Sequence, residues 1–161
     1  MPQQLWYSPF LKALQEPPIW DIENNKDDAT YRFLRLGFAR NVIVRLTIRP
    51  DGTGIVPAKL VVVRADSVND IFTADAAPVA HEQIVKFQDL LQKANFWSME
   101  PKEASRVYHF DGSHWVMEGV RSGSYHVVDR WSSQNTDYSR ACEYLMRLAP
   151  IEEATRNRKI N

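Results

Sequence analysis

The stretch Asp111–Trp131 constrains the fold more than any other. Two β-prone runs, His114–Val120 and Tyr125–Trp131, bracket Arg121-Ser122-Gly123-Ser124, and Gly123 can take the positive φ of a tight turn. The stretch reads as one β-hairpin, with Asp111-Gly112 supplying a second turn just upstream. With Ser122-Gly123 as a two-residue loop, alternation sets Val120 opposite Tyr125, Glu118 opposite Val127, Val116 opposite Asp129 and His114 opposite Trp131 on one side. The other side then carries Trp115, Met117, Gly119, His126, Val128 and Arg130. Neither side is purely apolar, so the ribbon is expected to be covered from both directions.

The remaining elements follow from periodicity and punctuation. Ser8-Pro9 predicts a short helix over Phe10–Gln15, ending before Pro17-Pro18. Trp6, Phe10, Leu14 and Trp20 would make it an apolar strap over the main domain. After the polar loop Asn24–Asp28, Tyr31–Phe38 reads as a strand with imperfect alternation. Val42–Ile48 alternates cleanly, with Val42, Val44, Leu46 and Ile48 on one face. Pro50–Gly54 is a turn, and the β-branched run Lys59–Arg64 returns as a third strand. Asp66–Ala77 is expected to be irregular. From Pro78 the period becomes helical: Ala80, Ile84, Phe87, Leu91 and Ala94 form one stripe, predicting a helix over Val79–Ala94. Asn95 would take the left-handed cap, with Phe96 closing over the last turn. Asn135 or Thr136 caps a final helix whose inner face is Tyr138, Cys142, Leu145 and Ala149, ended by Pro150.

These elements define an α+β fold, an antiparallel sheet of about five strands in the order β-β-β-α-β-β-α, with helices packed on one face and an N-terminal helical strap. Residues 1–29 are expected to be strap and loop, 30–150 a single α+β domain, and 151–161 a polar tail.

Composition removes several function classes. Twenty acidic and 20 basic residues cancel, leaving no global field to attract nucleic acid or an anionic membrane. No run approaches the roughly 20 apolar residues of a membrane span. The lone Cys142 excludes an internal disulfide and fits a reducing compartment. The N-terminus has no basic flank followed by an apolar core, so a cytoplasmic location is expected, or a periplasmic one if a leader has been removed.

Candidate chemistry concentrates near the hairpin. His109, His114 and His126 lie close in sequence to Asp111, Glu118 and Asp129, whereas His81 stands apart. The spacing His109, Asp111, His114 matches no closed zinc motif, and alternation sends His114 and His126 to opposite faces, so no metal is expected. Cys142 falls on an inner helical stripe, and Ser113 and Ser132 lack the strained elbow of a serine nucleophile. The six glycines form no phosphate-binding loop, so no cofactor is expected. A small hydrolase or metal-binding protein using His114 and Glu118 is the alternative enzymatic reading. The two share a ribbon face but stand roughly 13 Å apart along the strand. In a structural role, Glu118 would accept a hydrogen bond from Tyr125 or a helix terminus. Arg32, Arg35, Arg45 and Arg49 suggest a basic stripe, which on a strand is usually a solvated face.

Phe96-Trp97, Asp111-Gly112, Trp115, Glu118-Gly119, Gly123, Tyr125-His126, Val128, Arg130-Trp131 and a helix ending Leu145–Ala149, together with the strand Tyr31–Leu34, resemble a group of small bacterial proteins. The resemblance spans about Tyr31–Ala149 and implies a bacterial source and a single domain. No activity is established for the group, so no catalytic residue carries over. Density of Trp, Tyr and Arg around the hairpin favours protein recognition, because these residue types dominate interface hot spots. The expectation is therefore a non-catalytic protein-interaction module, such as an immunity-type inhibitor or assembly component, with another protein as partner and homo-oligomerisation left open. Its binding residues would be Trp115, Glu118, Tyr125, His126, Arg130 and Trp131.

Overall fold

Six antiparallel strands form a single sheet: β1 (Ala29–Leu36), β2 (Arg40–Ile48), β3 (Gly54–Val63), β4 (Asn69–Val79), β5 (His114–Arg121) and β6 (Ser124–Trp131). Their order is β4-β3-β2-β1-β5-β6. The computed structural model describes residues 6–13, 15–20, 29–37, 40–63, 69–103, 112–131 and 135–151. Three helices accompany the sheet: α1 (Ser8–Ala13), α2 (His81–Lys93) and α3 (Asp137–Leu148). The first four strands meander outward from β1. The chain then crosses over the sheet through α2 and returns the β5–β6 hairpin to the free side of β1. Among the described residues, no helix is long and apolar enough to cross a membrane.

The sheet has six strands where five were expected. The additional strand, β4, occupies most of the segment read as irregular. Its Thr-Ala-Asp-Ala-Ala-Pro sequence has neither β-branched density nor alternation. Order comes instead from pairing along β3, from Gly54↔Val79 to Val63↔Asn69, with a register shift between Val56 and Ala58. Pro78 is tolerated because β4 is an edge strand. It therefore belongs to β4, and α2 begins only at His81.

The hairpin has the expected register, with Val120 opposite Tyr125 and His114 opposite Trp131. Ser122 (φ 50°) and Gly123 (φ 77°) both lie in the left-handed region, as a two-residue turn matched to strand twist requires.

Helices α2 and α3 cover one sheet face. Ile84, Phe87 and Leu91 of α2 and Tyr138, Ala141, Cys142 and Leu145 of α3 pack on Tyr31, Phe33, Val44, Leu46, Trp115, Met117 and Val128. Asn95 takes the left-handed conformation (φ 55°) after α2 and leads into a 3-10 turn, Phe96–Ser98, whose Phe96 is fully buried. Gly119 leaves the space that this packing uses: a Cβ there would stand 3.0 Å from the Phe96 ring and 3.1 Å from Tyr31. Thr136 caps α3, its hydroxyl accepting from the Ser139 N–H at 3.1 Å.

The opposite face is covered by the N-terminal strap, where Tyr7, Leu11 and Ile19 are buried more deeply than the expected Phe10 and Trp20. Helix α1 runs over Ser8–Ala13, ahead of the predicted Phe10–Gln15. One helical turn apart, Tyr7 and Leu11 point into the sheet and pack with Leu34, Leu36, Ile43 and Val116, and Ile19 is buried as well. Phe10 and Trp20 are only partly buried, Trp6 is 48% exposed, and Leu14 lies outside the described residues. The helix ends where Gln15 takes φ 54°, with the Gln15 N–H donating to Lys12 O and the Glu16 N–H to Leu11 O. This is the paired bonding of a Schellman cap. It turns the chain so that Glu16 and Pro17 lie over the middle of the sheet.

Candidate functional site

On the strap face, the strand registers set side chains in cross-strand rows. One row is Arg45, Arg32, Glu118 and Val127, taken across β2, β1, β5 and β6. Arg32 and Glu118 are fully buried. The Arg32 Nε donates to Glu118 Oε2 at 2.6 Å, and Nη2 stands 2.6 Å from the same oxygen. Nη1 donates to the strap carbonyl of Pro17 at 2.7 Å. The second carboxylate oxygen, Oε1, accepts from the Tyr125 hydroxyl at 2.8 Å. Glu16 joins from above, 3.0 Å from Arg45 Nη1 and 3.9 Å from Arg32 Nη1. Two arginines and two glutamates thus balance inside a nearly dry layer. Burial is the main cause that raises the Tyr7 phenol far above its ordinary pKa, and the Glu118 charge and Tyr125 add to it. Tyr125 is raised as well, by burial and then by Glu118.

Two rows toward the other end of the hairpin lies a different constellation. His114 Nδ1 is 3.0 Å from Asp129 Oδ1, and Trp6 Nε1 donates to Asp129 Oδ2 at 3.0 Å. The His114 ring sits between Trp6 and Trp131, with centroid distances of 4.7 and 4.5 Å. This seam between strap and hairpin opens into a groove of about 390 Å³, lined chiefly by Trp6, Phe10, Leu36, His114 and Trp131. Because the carboxylate only accepts, neutral His114 carries its proton on Nδ1 and offers Nε2 as an acceptor.

The expected binding residues are thereby divided between two faces. Glu118, Tyr125 and Trp131 lie on the strap face, and Trp115, His126 and Arg130 on the helix face. Trp115 is core, its Nε1 donating to Ser113 Oγ at 3.0 Å. His126 packs against Phe96 and Trp97, with centroid distances of 5.2 and 6.1 Å. Arg130 is spent on main-chain oxygens, donating to Glu100 O at 2.7 Å and Asp129 O at 2.8 Å. There it holds the Glu100–Lys102 segment against the outer edge of β6, where the Asp129 N–H donates to Pro101 O at 2.7 Å. The hydrogen-bonding role considered for Glu118 is present, with Tyr125 as donor.

Glu118 is engaged by Arg32 and Tyr125, and His114 by Asp129. His81 lies 3.3 Å from Gly52 O, and Cys142 is fully buried with its thiol pKa raised by burial. His109, Asp111 and Ser132 lie outside the described residues. Among the described residues, no three His, Cys, Asp or Glu side chains converge as metal ligands would. The arginine stripe does not form: Arg32 and Arg45 are cross-strand neighbours, with Arg32 buried, whereas Arg35 pairs with Val42 three residues further along and faces the helices.

Tyr7, Glu16 and Pro17 carry no signal in sequence, being local to a strap whose docking is tertiary. Arg32 and Glu118 do carry one. Each is a single charge in an otherwise apolar stripe, Arg32 with Leu34 and Leu36, and Glu118 with Val116 and Val120. In comparisons with known proteins, no family model matches the chain, and no curated protein does so at a significant level.

Proposed function

We propose that the protein is a non-catalytic protein-interaction module, in a bacterial cell an immunity-type inhibitor or assembly component, which meets its partner at the seam between strap and hairpin. The observation that carries this reading is Trp6. It is 48% exposed, yet it is held by a hydrogen bond to Asp129 and by a tilted ring contact with His114, at the mouth of an aromatic groove. A large apolar ring kept rigid at the surface gives contact area at low entropic cost, which is the property of an interface hot spot. The buried Arg32–Glu118 layer supports the reading indirectly, because it secures the strap that presents Trp6.

The test is affinity capture from bacterial lysate with immobilised wild type, Trp6→Ala and Trp131→Ala. The expected result is one specific partner held by the wild type and lost by both variants at unchanged fold. A wild type that retains nothing specific, or capture indifferent to both substitutions, would overturn the proposal.

A further inference from the structure

We infer that the strap–hairpin groove recognises an arginine side chain, an inference that rests on the docking reading above and names the chemistry of the partner. Asp129 supplies the argument. Its side chain is 13% exposed, and its oxygens are taken by Trp6 Nε1 and His114 Nδ1, both of which leave the negative charge in place when the imidazole is neutral. No lysine or arginine pairs with it among the described residues. Arg130, its neighbour in sequence, projects to the other face and bonds main-chain oxygens. Among the described residues lining the groove there is no lysine or arginine.

A carboxylate that no described lysine or arginine pairs with, set behind the Trp6 and His114 rings, is complementary to an organic cation. Partial burial strengthens that attraction relative to water. The imidazole extends the charge outward. In the neutral imidazole with Nδ1–H directed at Asp129, Nε2 is an acceptor, and the His114 side chain is 35% exposed on the groove. A guanidinium donates to Nε2 while its plane lies on the open face of Trp6, and its aliphatic stem runs along Phe10 and Leu36. Arginine fits better than lysine because the planar guanidinium stacks on indole and is the more weakly hydrated ion.

The experiment titrates the intact protein with Nα-acetyl-arginine amide and, separately, with its uncharged isostere Nα-acetyl-citrulline amide, following indole N–H resonances by NMR. The expected result is saturable perturbation of Trp6 and Trp131 by the arginine probe, with the citrulline probe roughly tenfold weaker. Asp129→Asn should weaken the arginine probe by a similar factor and leave the citrulline probe unchanged. Equal binding of the two probes at Trp6 would overturn the arginine assignment while leaving the groove as a docking site. Perturbation centred on Trp97, or none with either probe, would overturn it too. Should Asp129→Asn fail to fold, the comparison of probes on the wild type decides alone. Partner capture is a separate measurement, so failure of the docking reading shows there and not here.

Discussion

Arg32 on β1 and Glu118 on β5 are directly opposed cross-strand partners, with the Arg32 Nε 2.6 Å from Glu118 Oε2 and neither side chain reaching solvent. The pair binds the two halves of the sheet, the four-stranded meander and the hairpin, at the seam where β5 joins β1. It also holds the strap, through the Pro17 carbonyl. Buried ion pairs seldom add net stability over an apolar pair of the same shape, because desolvation offsets the Coulomb gain. Their geometry is directional, however, and here it engages the Tyr125 hydroxyl and the Pro17 carbonyl.

Arg32→Ala or Glu118→Ala, each removing the direct counter-ion of a buried charge, should lower stability by about 3–5 kcal/mol in urea denaturation. The double substitution Arg32→Met with Glu118→Leu should recover most of that loss. A double variant as unstable as the singles would show that the pair contributes more than mutual neutralisation.

Leu11→Ala and Trp6→Ala separate the strap's anchoring from its display. Leu11 is buried against the sheet, so its truncation should cost about 2–5 kcal/mol. Trp6 is half exposed, and its loss should change stability by less than about 1 kcal/mol while removing the donor to Asp129. Thermal melts of the two variants check the contrast.

Gly119→Ala should destabilise by roughly 1–3 kcal/mol, because the new methyl would meet Phe96 and Tyr31, both fully buried. Calorimetry measures the loss, and a neutral result would mean that the aromatic cluster can shift.

Thr136→Ala removes the hydroxyl that accepts from Ser139 N–H, and a cost of about 1 kcal/mol is expected, readable as a shift in the urea midpoint.

Burial raises the Tyr7 and Tyr138 phenols and the Cys142 thiol. In the unfolded chain these groups ionise near their ordinary values, about 8.5 for a thiol and about 10 for a phenol. Above those values the folded chain holds more protons than the unfolded one, so stability is fully present below them and falls as pH rises. The slope reaches at most about 1.4 kcal/mol per pH unit for each group. Denaturation midpoints compared between about pH 8 and about pH 10.5 test the sign, and a thiol reagent should leave Cys142 unmodified in native protein at neutral pH.

The hairpin was the most legible element, since a two-residue turn between alternating runs leaves one register, and the structure has it. The inner stripe of α3 and the centre of that of α2, Ile84, Phe87 and Leu91, were legible for the same reason, as 3.6-residue periodicity is local information, whereas Ala80 precedes the helix and is exposed and Ala94 is only partly buried. β4 was not, because Asn69–Val79 has weak intrinsic preference and is ordered by the edge of β3. Of the candidate site, alternation separated His114 from His126 and Trp115 from Trp131, but it could not pair His114 with Asp129 through the same carboxylate that holds Trp6.

By itself, then, the sequence determined the α+β class, the hairpin register and the buried helix faces, because each depends on spacings within one segment. Only the tertiary structure decided that a strap more than a hundred residues from Glu118 covers it, that Arg32 is its counter-ion, and that Trp6 and Asp129 meet. Those contacts join segments far apart in the chain, and their free energy exists only once the sheet has brought them together.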